Sequence, residues 1–224
     1  LARTGRLKDF VMLDTQALVW PAYHRLLRQW YPDKWEATAD AKRERPFEPG
    51  SLVQLMTKLA KSYEIWYLHP SFGYYFEYFY PEPHQLVYQL KSYGTNSLLP
   101  PSLTPPRLAE NEKFWTKVAD QYLKPVLAVT MPREPGAKLG LVESWFKKAH
   151  LPLEQNSQAT IVGSLYSRVL NDWAVEVQKS GDLEKAAGYF ELAQQLNTDN
   201  IVAQINQEYN QNLRAGQRAP IQLP

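Results

Sequence analysis

The stretch Ser167–Asn200 reads SRVLNDWAVEVQKSGDLEKAAGYFELAQQLNTDN, and its spacing decides the fold. Leu170, Trp173 and Ala174 recur on one side of a helix, and Ala186, Phe190 and Ala193 do the same further on. Between them Gly181 makes a turn, and Asp182 stands where an N-cap accepts the free N–H groups of a new helix. The alanines let two helix axes approach to about 8–10 Å, and the Phe190 ring fills the space between them. The stretch therefore predicts two antiparallel helices packed through small residues around one aromatic ring.

Its length of 34 residues and the placing of Leu170, Trp173, Ala174, Gly181, Ala186, Phe190 and Ala193 resemble a tetratricopeptide repeat. Thr198 departs from that pattern, which usually has proline there; Asn197-Thr198-Asp199-Asn200 can end the helix through side-chain hydrogen bonds instead. A third helix follows with Ile201, Ile205, Tyr209 and Leu213, and its Asn and Gln residues read as a solvated outer face. A single repeat buries only one face, so the helices expected from 107 to 166 should stack on it. Leu108 to Val129 is expected to be helical and kinked or ended by Pro125; Leu139 to Ala149 and Ile161 to Lys179 are the next helices.

Toward the N-terminus the pattern changes. Phe10-Val11-Met12-Leu13 reads as a buried strand, and Ala17 to Trp30 as a helix with Pro21 in its first turn. Residues 33–49 read as a charged loop. Ser51 is the expected N-cap of a helix carrying Leu52, Leu55, Met56 and Leu59. Ile65-Trp66-Tyr67-Leu68 and Leu86–Leu90 read as two more strands. Four prolines lie between Leu98 and Pro106, which marks a linker. The expected fold is α+β and mostly α: a small α/β layer over 1–97, a proline-rich linker over 98–106, and a helical array over 107–224.

Composition removes several chemistries. There is no Cys, hence no thiolate metal site and no thiol nucleophile. Lys and Arg number 25 against 23 Asp and Glu, so no net field draws nucleic acid. No apolar run is long enough to span a bilayer. Gly-x-Ser-x-Gly, phosphate-binding and dinucleotide-binding glycine motifs are all missing. The sequence offers no catalytic residue, and neither a cofactor nor a metal is expected.

The densest feature is His69 to His84, where seven of nine residues from Phe72 to Tyr80 are aromatic. No Lys or Arg occurs between Ser62 and Leu90, which argues against stacking on nucleic-acid bases. Rings flanked by Glu and His can stack on sugars, lie at a membrane interface, or cover a seam between subdomains. The candidate ligand-binding residues are His69, Tyr74, Tyr75, Glu77, Tyr78 and His84, joined by Asp14 at the end of the first expected strand. At Asp14 a turn or helix-capping role is the favoured reading.

The segment Phe10–Pro32 ending in Trp30-Tyr31, the strand Glu64-Ile65-Trp66-Tyr67, and His84-Gln85-Leu86-Val87-Tyr88-Gln89-Leu90 together resemble a known arrangement. It is the soluble C-terminal part of large bacterial multi-pass membrane proteins whose membrane part is similar to protein O-mannosyltransferases and other polyprenyl-sugar glycosyltransferases. The resemblance implies a place on the extracytoplasmic, periplasmic face of the inner membrane. It implies a non-catalytic accessory module that binds a protein or glycan acceptor or braces the membrane part. The catalytic carboxylates of such enzymes lie near membrane helices that are not in this chain. Two other readings stay open: a free-standing tetratricopeptide adaptor, and a soluble enzyme using a cleft between subdomains.

Overall fold

A computed structural model describes residues 9–35, 44–68, 77–94, 99–130, 145, 148 and 156–217. The chain is α+β and mostly helical, with one small three-stranded antiparallel sheet. It forms two compact units, Leu1–Glu82 with Gln89–Pro100, and Pro83–Tyr88 with Pro101–Pro224. The short piece Pro83–Tyr88 thus groups with the helices that follow it.

In the first unit a 3-10 turn, Ala17–Val19, leads into α1, Pro21–Trp30, with Pro21 at its first position. There the missing N–H of proline breaks no helical bond. His24 and Leu27 are buried on α1. The second helix α2, Pro49–Ser62, buries Leu52 and Met56. Its N-cap is Glu48 and not Ser51, because Pro49 with its fixed φ opens the helix and Ser51 falls inside the first turn. The sheet runs in the order β1, β3, β2, with β1 at Trp66–Tyr67, β2 at Phe79–His84 and β3 at Val87–Ser92. The Leu90 N–H donates to the Ile65 carbonyl at 2.9 Å, which ties β3 beside β1.

Two further expectations for this unit are corrected. Residues 10–13 form no strand; Met12 is exposed, and the segment is held by the Tyr31 and Tyr23 hydroxyls, which accept the N–H groups of Met12 and Asp14 at 3.3 and 2.8 Å. A short apolar run does not by itself distinguish a strand from other buried or half-buried chain. Conversely, β2 is built from Phe79-Tyr80-Pro81-Glu82-Pro83-His84, the end of the aromatic stretch, to which the sequence assigns no strand. Two prolines inside it suit an outer strand, whose N–H groups need not all enter a ladder, and β2 is an edge of the sheet.

The second unit opens with α3, Pro105–Val118, which passes through a widened π turn, Ala119–Leu123, into α4, Lys124–Thr130. Pro125 therefore does not end the helix. It lacks the N–H that would bond one turn back, and the π turn just before it takes up the mismatch. Among the described residues the long helices that follow are α5, Ser157–Lys179, α6, Leu183–Leu196, and α7, Ile201–Arg214. Side chains of Asn156, Asp182 and Asn200 cap them, accepting from the N–H groups of Ala159, Lys185 and Ala203 at 3.1 Å each. Gly181 has φ +96°, a left-handed turn that a side chain would strain.

Phe190 is fully buried, with Leu170, Trp173, Ala174, Ala186, Ala193, Leu196 and Ala203 around it. Trp115, Val118 and Leu123 from the α3–α4 rod complete the same core. The helix expected over 139–149 lies largely outside the described residues.

Candidate functional site

Two polar constructions stand out in the helical unit. The first is a seam of amides between α5 and α7. The Ser167 hydroxyl donates to the Ala193 carbonyl at 2.6 Å and accepts from Asn200 at 2.8 Å. Asn206 donates to Asn171 at 2.9 Å. Asn210 donates to Gln178 at 2.9 Å and to the Leu183 carbonyl at 3.1 Å. Asn210 is fully buried, so α7 is not polar merely because it is wetted; part of its Asn content faces inward.

The second construction is a clamp on the tip of the β2–β3 hairpin. Asn111, fully buried on α3, accepts the Gln85 N–H at 2.5 Å and donates to the Pro83 carbonyl at 3.4 Å. In an extended chain the carbonyl before a residue and the N–H after it point the same way, so one side-chain amide can meet both, as a neighbouring strand would. A further Asn111 bond, to the Arg107 carbonyl at 2.8 Å, fixes the amide's orientation. The Arg107 guanidinium hydrogen-bonds His84 Nδ1 and reaches Glu110 at 2.9 Å, with Glu110 also 3.8 Å from His84 Nε2. At the other end of the tip, buried Tyr88 donates to the Asp172 carboxylate on α5 at 2.5 Å.

The electrostatics follow from burial. The Tyr88 phenol is held far above its ordinary pKa, first by burial and then by the Asp172 carboxylate, with Arg168 opposing. Tyr189 is pushed up to about 12 by burial and by Glu112. Both phenols stay protonated and act as donors. In the first unit the His24 pKa is lowered, mainly by burial, and its Nε2–H donates to the Leu18 carbonyl at 2.6 Å. These groups hold chain segments in place.

The sequence-derived candidates separate. Asp14 is exposed and its carboxylate accepts the N–H groups of Gln16 and Ala17 at 2.9 and 3.3 Å, which is a turn-capping role. Glu77 and Tyr78 are exposed just before β2. His84 lies in the helical unit against Arg107, a cation that opposes any metal-ligand role for that ring. His69, Tyr74 and Tyr75 lie outside the described residues. Among the described residues no three acidic or histidine side chains gather as metal ligands. Leu170, Trp173, Ala174, Ala186, Phe190 and Ala193 are all buried, and Gly181 makes the α5–α6 turn.

Asn111, Arg107, Asp172 and the α5–α7 amides were not singled out from sequence. The available signal was Asn at helix-interior positions, where it is a poor helix former and needs a hydrogen-bonding reason to be there. Comparison with known proteins finds no matching family, no matching curated protein and no matching solved structure.

Proposed function

We infer that this chain is a non-catalytic accessory module of a membrane-embedded, glycosyltransferase-like protein, working on the extracytoplasmic face, where its helical unit holds a protein partner or acceptor segment. The observation that carries the binding role is apolar exposure on the helices. Ile161 and Leu165 on α5 are 62% and 55% exposed, and Ile201 and Val202 on α7 are 54% and 59% exposed. Helices with a packed apolar core that still present large aliphatic side chains to water are suited to association. The tetratricopeptide-like spacing around Phe190 supports the same reading, since such stacks serve as scaffolds.

A glycan contact has its own support in the first unit. Trp20, Trp30, Tyr63 and Tyr78 are exposed there, at 55%, 59%, 48% and 56%. Aromatic faces open to solvent are what a sugar ring stacks on.

Cell fractionation of the natural gene product, followed by protease treatment of spheroplasts, tests the placement. The reading expects the segment in the inner-membrane fraction and open to protease from outside. Recovery in the cytosolic supernatant removes the accessory role and leaves an adaptor. A glycan array with the purified chain separates protein acceptor from glycan acceptor.

A further inference from the structure

We propose that the segment 218–224, Arg-Ala-Pro-Ile-Gln-Leu-Pro, docks back along α7 and covers the apolar face formed by Val202, Ile205 and Tyr209. The segment lies outside the described residues, and the case for its docking comes from α7 itself.

The sides of α7 differ in character. One buries Ala203 and Asn210 and is matched to α5 and α6 by amide hydrogen bonds. Another carries Val202, Ile205 and Tyr209, at the three- and four-residue steps that align side chains along a helix. Val202 is 59% and Tyr209 36% exposed, and Ile205 is partly buried. With the neighbouring Ile201 this face leaves on the order of 300 Å² bare, whereas a stable association takes about 800 Å² from each protein. It is small for a second copy. It suits a short segment tethered beside it, which needs no encounter from solution.

The end of α7 turns the chain out of the helix. Gly216 has φ +70°; its N–H donates to the Leu213 carbonyl at 3.0 Å, and the Gln217 N–H donates to the Asn212 carbonyl at 2.8 Å. In this kind of helix stop an apolar residue after the glycine commonly packs back on the helix. Here Gln217 follows the glycine, so the apolar contact falls to Pro220, Ile221 and Leu223.

Reach and register agree. Seven residues of polyproline-type chain span about 22 Å, and the 14 residues of α7 rise about 21 Å. Three residues of such a chain make one turn and advance about 9 Å, so Pro220 and Leu223 share a side. Tyr209 and Val202 stand about 10 Å apart along the helix. The proline therefore meets the phenol ring where the leucine meets the valine. Pro220 and Pro224 also restrict the undocked segment, which lowers the entropy lost on docking. Ile161 and Leu165 on α5 stay open to a partner, so the docked segment leaves that role its own surface.

The chain has no Cys, so two introduced thiols report on each other alone. The full chain carrying Val202→Cys and Leu223→Cys is compared with one carrying Gln204→Cys and Leu223→Cys. Gln204 is exposed at nearly the same height but lies about 200° round the helix. In a glutathione redox buffer the first pair should close an intramolecular disulfide about tenfold faster than the second, read by mass and by a monomer band. Equal rates, or no closure of the first pair, overturn the proposal. So does a disulfide-linked dimer as the main product of the first pair, because a second copy then covers the face. Val202→Cys alone gives a separate measurement. Its reaction with a maleimide should quicken about tenfold when Leu223→Asp is added, as the face is uncovered. An unchanged maleimide rate overturns the proposal as well.

Discussion

Gly163 on α5 passes so close to the Leu196 carbonyl at the end of α6 that a Cβ on Gly163 would sit 2.7 Å from that oxygen. The oxygen belongs to the main chain, so it cannot swing away. Gly163→Ala should therefore lose roughly 1–3 kcal/mol by overpacking, despite the better helix propensity of alanine. Gly188 on α6 has nothing within 4 Å of the same position, so Gly188→Ala should gain about 0.5–1 kcal/mol. Urea denaturation of the two variants checks the contrast, and opposite signs are the expected result.

Phe190 is the centre of the helical core. Its replacement by Ala leaves a cavity lined by side chains from α5 and α6 and should cost about 3–5 kcal/mol. A change under about 1 kcal/mol would mean the ring does not pack as described.

Alkaline pH should weaken the helical unit. The folded-state pKa values of Tyr88 and Tyr189 lie above the unfolded value of 10.0, so the folded chain keeps protons that the unfolded chain releases. Their stabilisation is whole below pH 10.0 and for Tyr189 is lost as pH rises to about 12. Tyr189→Phe should flatten the fall in denaturation midpoint across that window.

Acid should act on the first unit. Burial lowers the His24 pKa below 6.5, so the unfolded chain binds the proton first. The stabilisation is present above pH 6.5 and is lost as pH falls below it. His24→Gln keeps a donor for Leu18 without a titrating group. Tryptophan fluorescence during urea titration should show the acid sensitivity of wild type and its reduction in the variant.

The helical unit was legible because its signals are local. Gly181, Asp182 and the spacing of Ala186, Phe190 and Ala193 each act within a turn or two of helix, where period and capping chemistry report directly. The first unit was read less well for the opposite reason. Residues 10–13 carry a strand-like composition yet join no sheet ladder, while Phe79–His84 pairs in spite of two prolines. Pairing is a relation between distant segments, and composition does not carry it. The clamp was hidden in the same way. Asn111 meets Gln85 across 26 residues of chain and Tyr88 meets Asp172 across 84, and neither asparagine nor tyrosine announces so remote a partner. His84, drawn from the aromatic stretch as a possible ligand-binding group, shows its neighbours only once α3 is in place.

The amides between α5 and α7 have a consequence for register. An oily contact between two helices tolerates sliding by a turn, since one aliphatic side chain substitutes for another. Here Asn171 is matched to Asn206 and Gln178 to Asn210. Moving α7 one turn along α5 would part both pairs at once and strand buried polar atoms away from water. The last helix is thus keyed to a single axial position, and anything that docks on its outer side meets a surface with a fixed address.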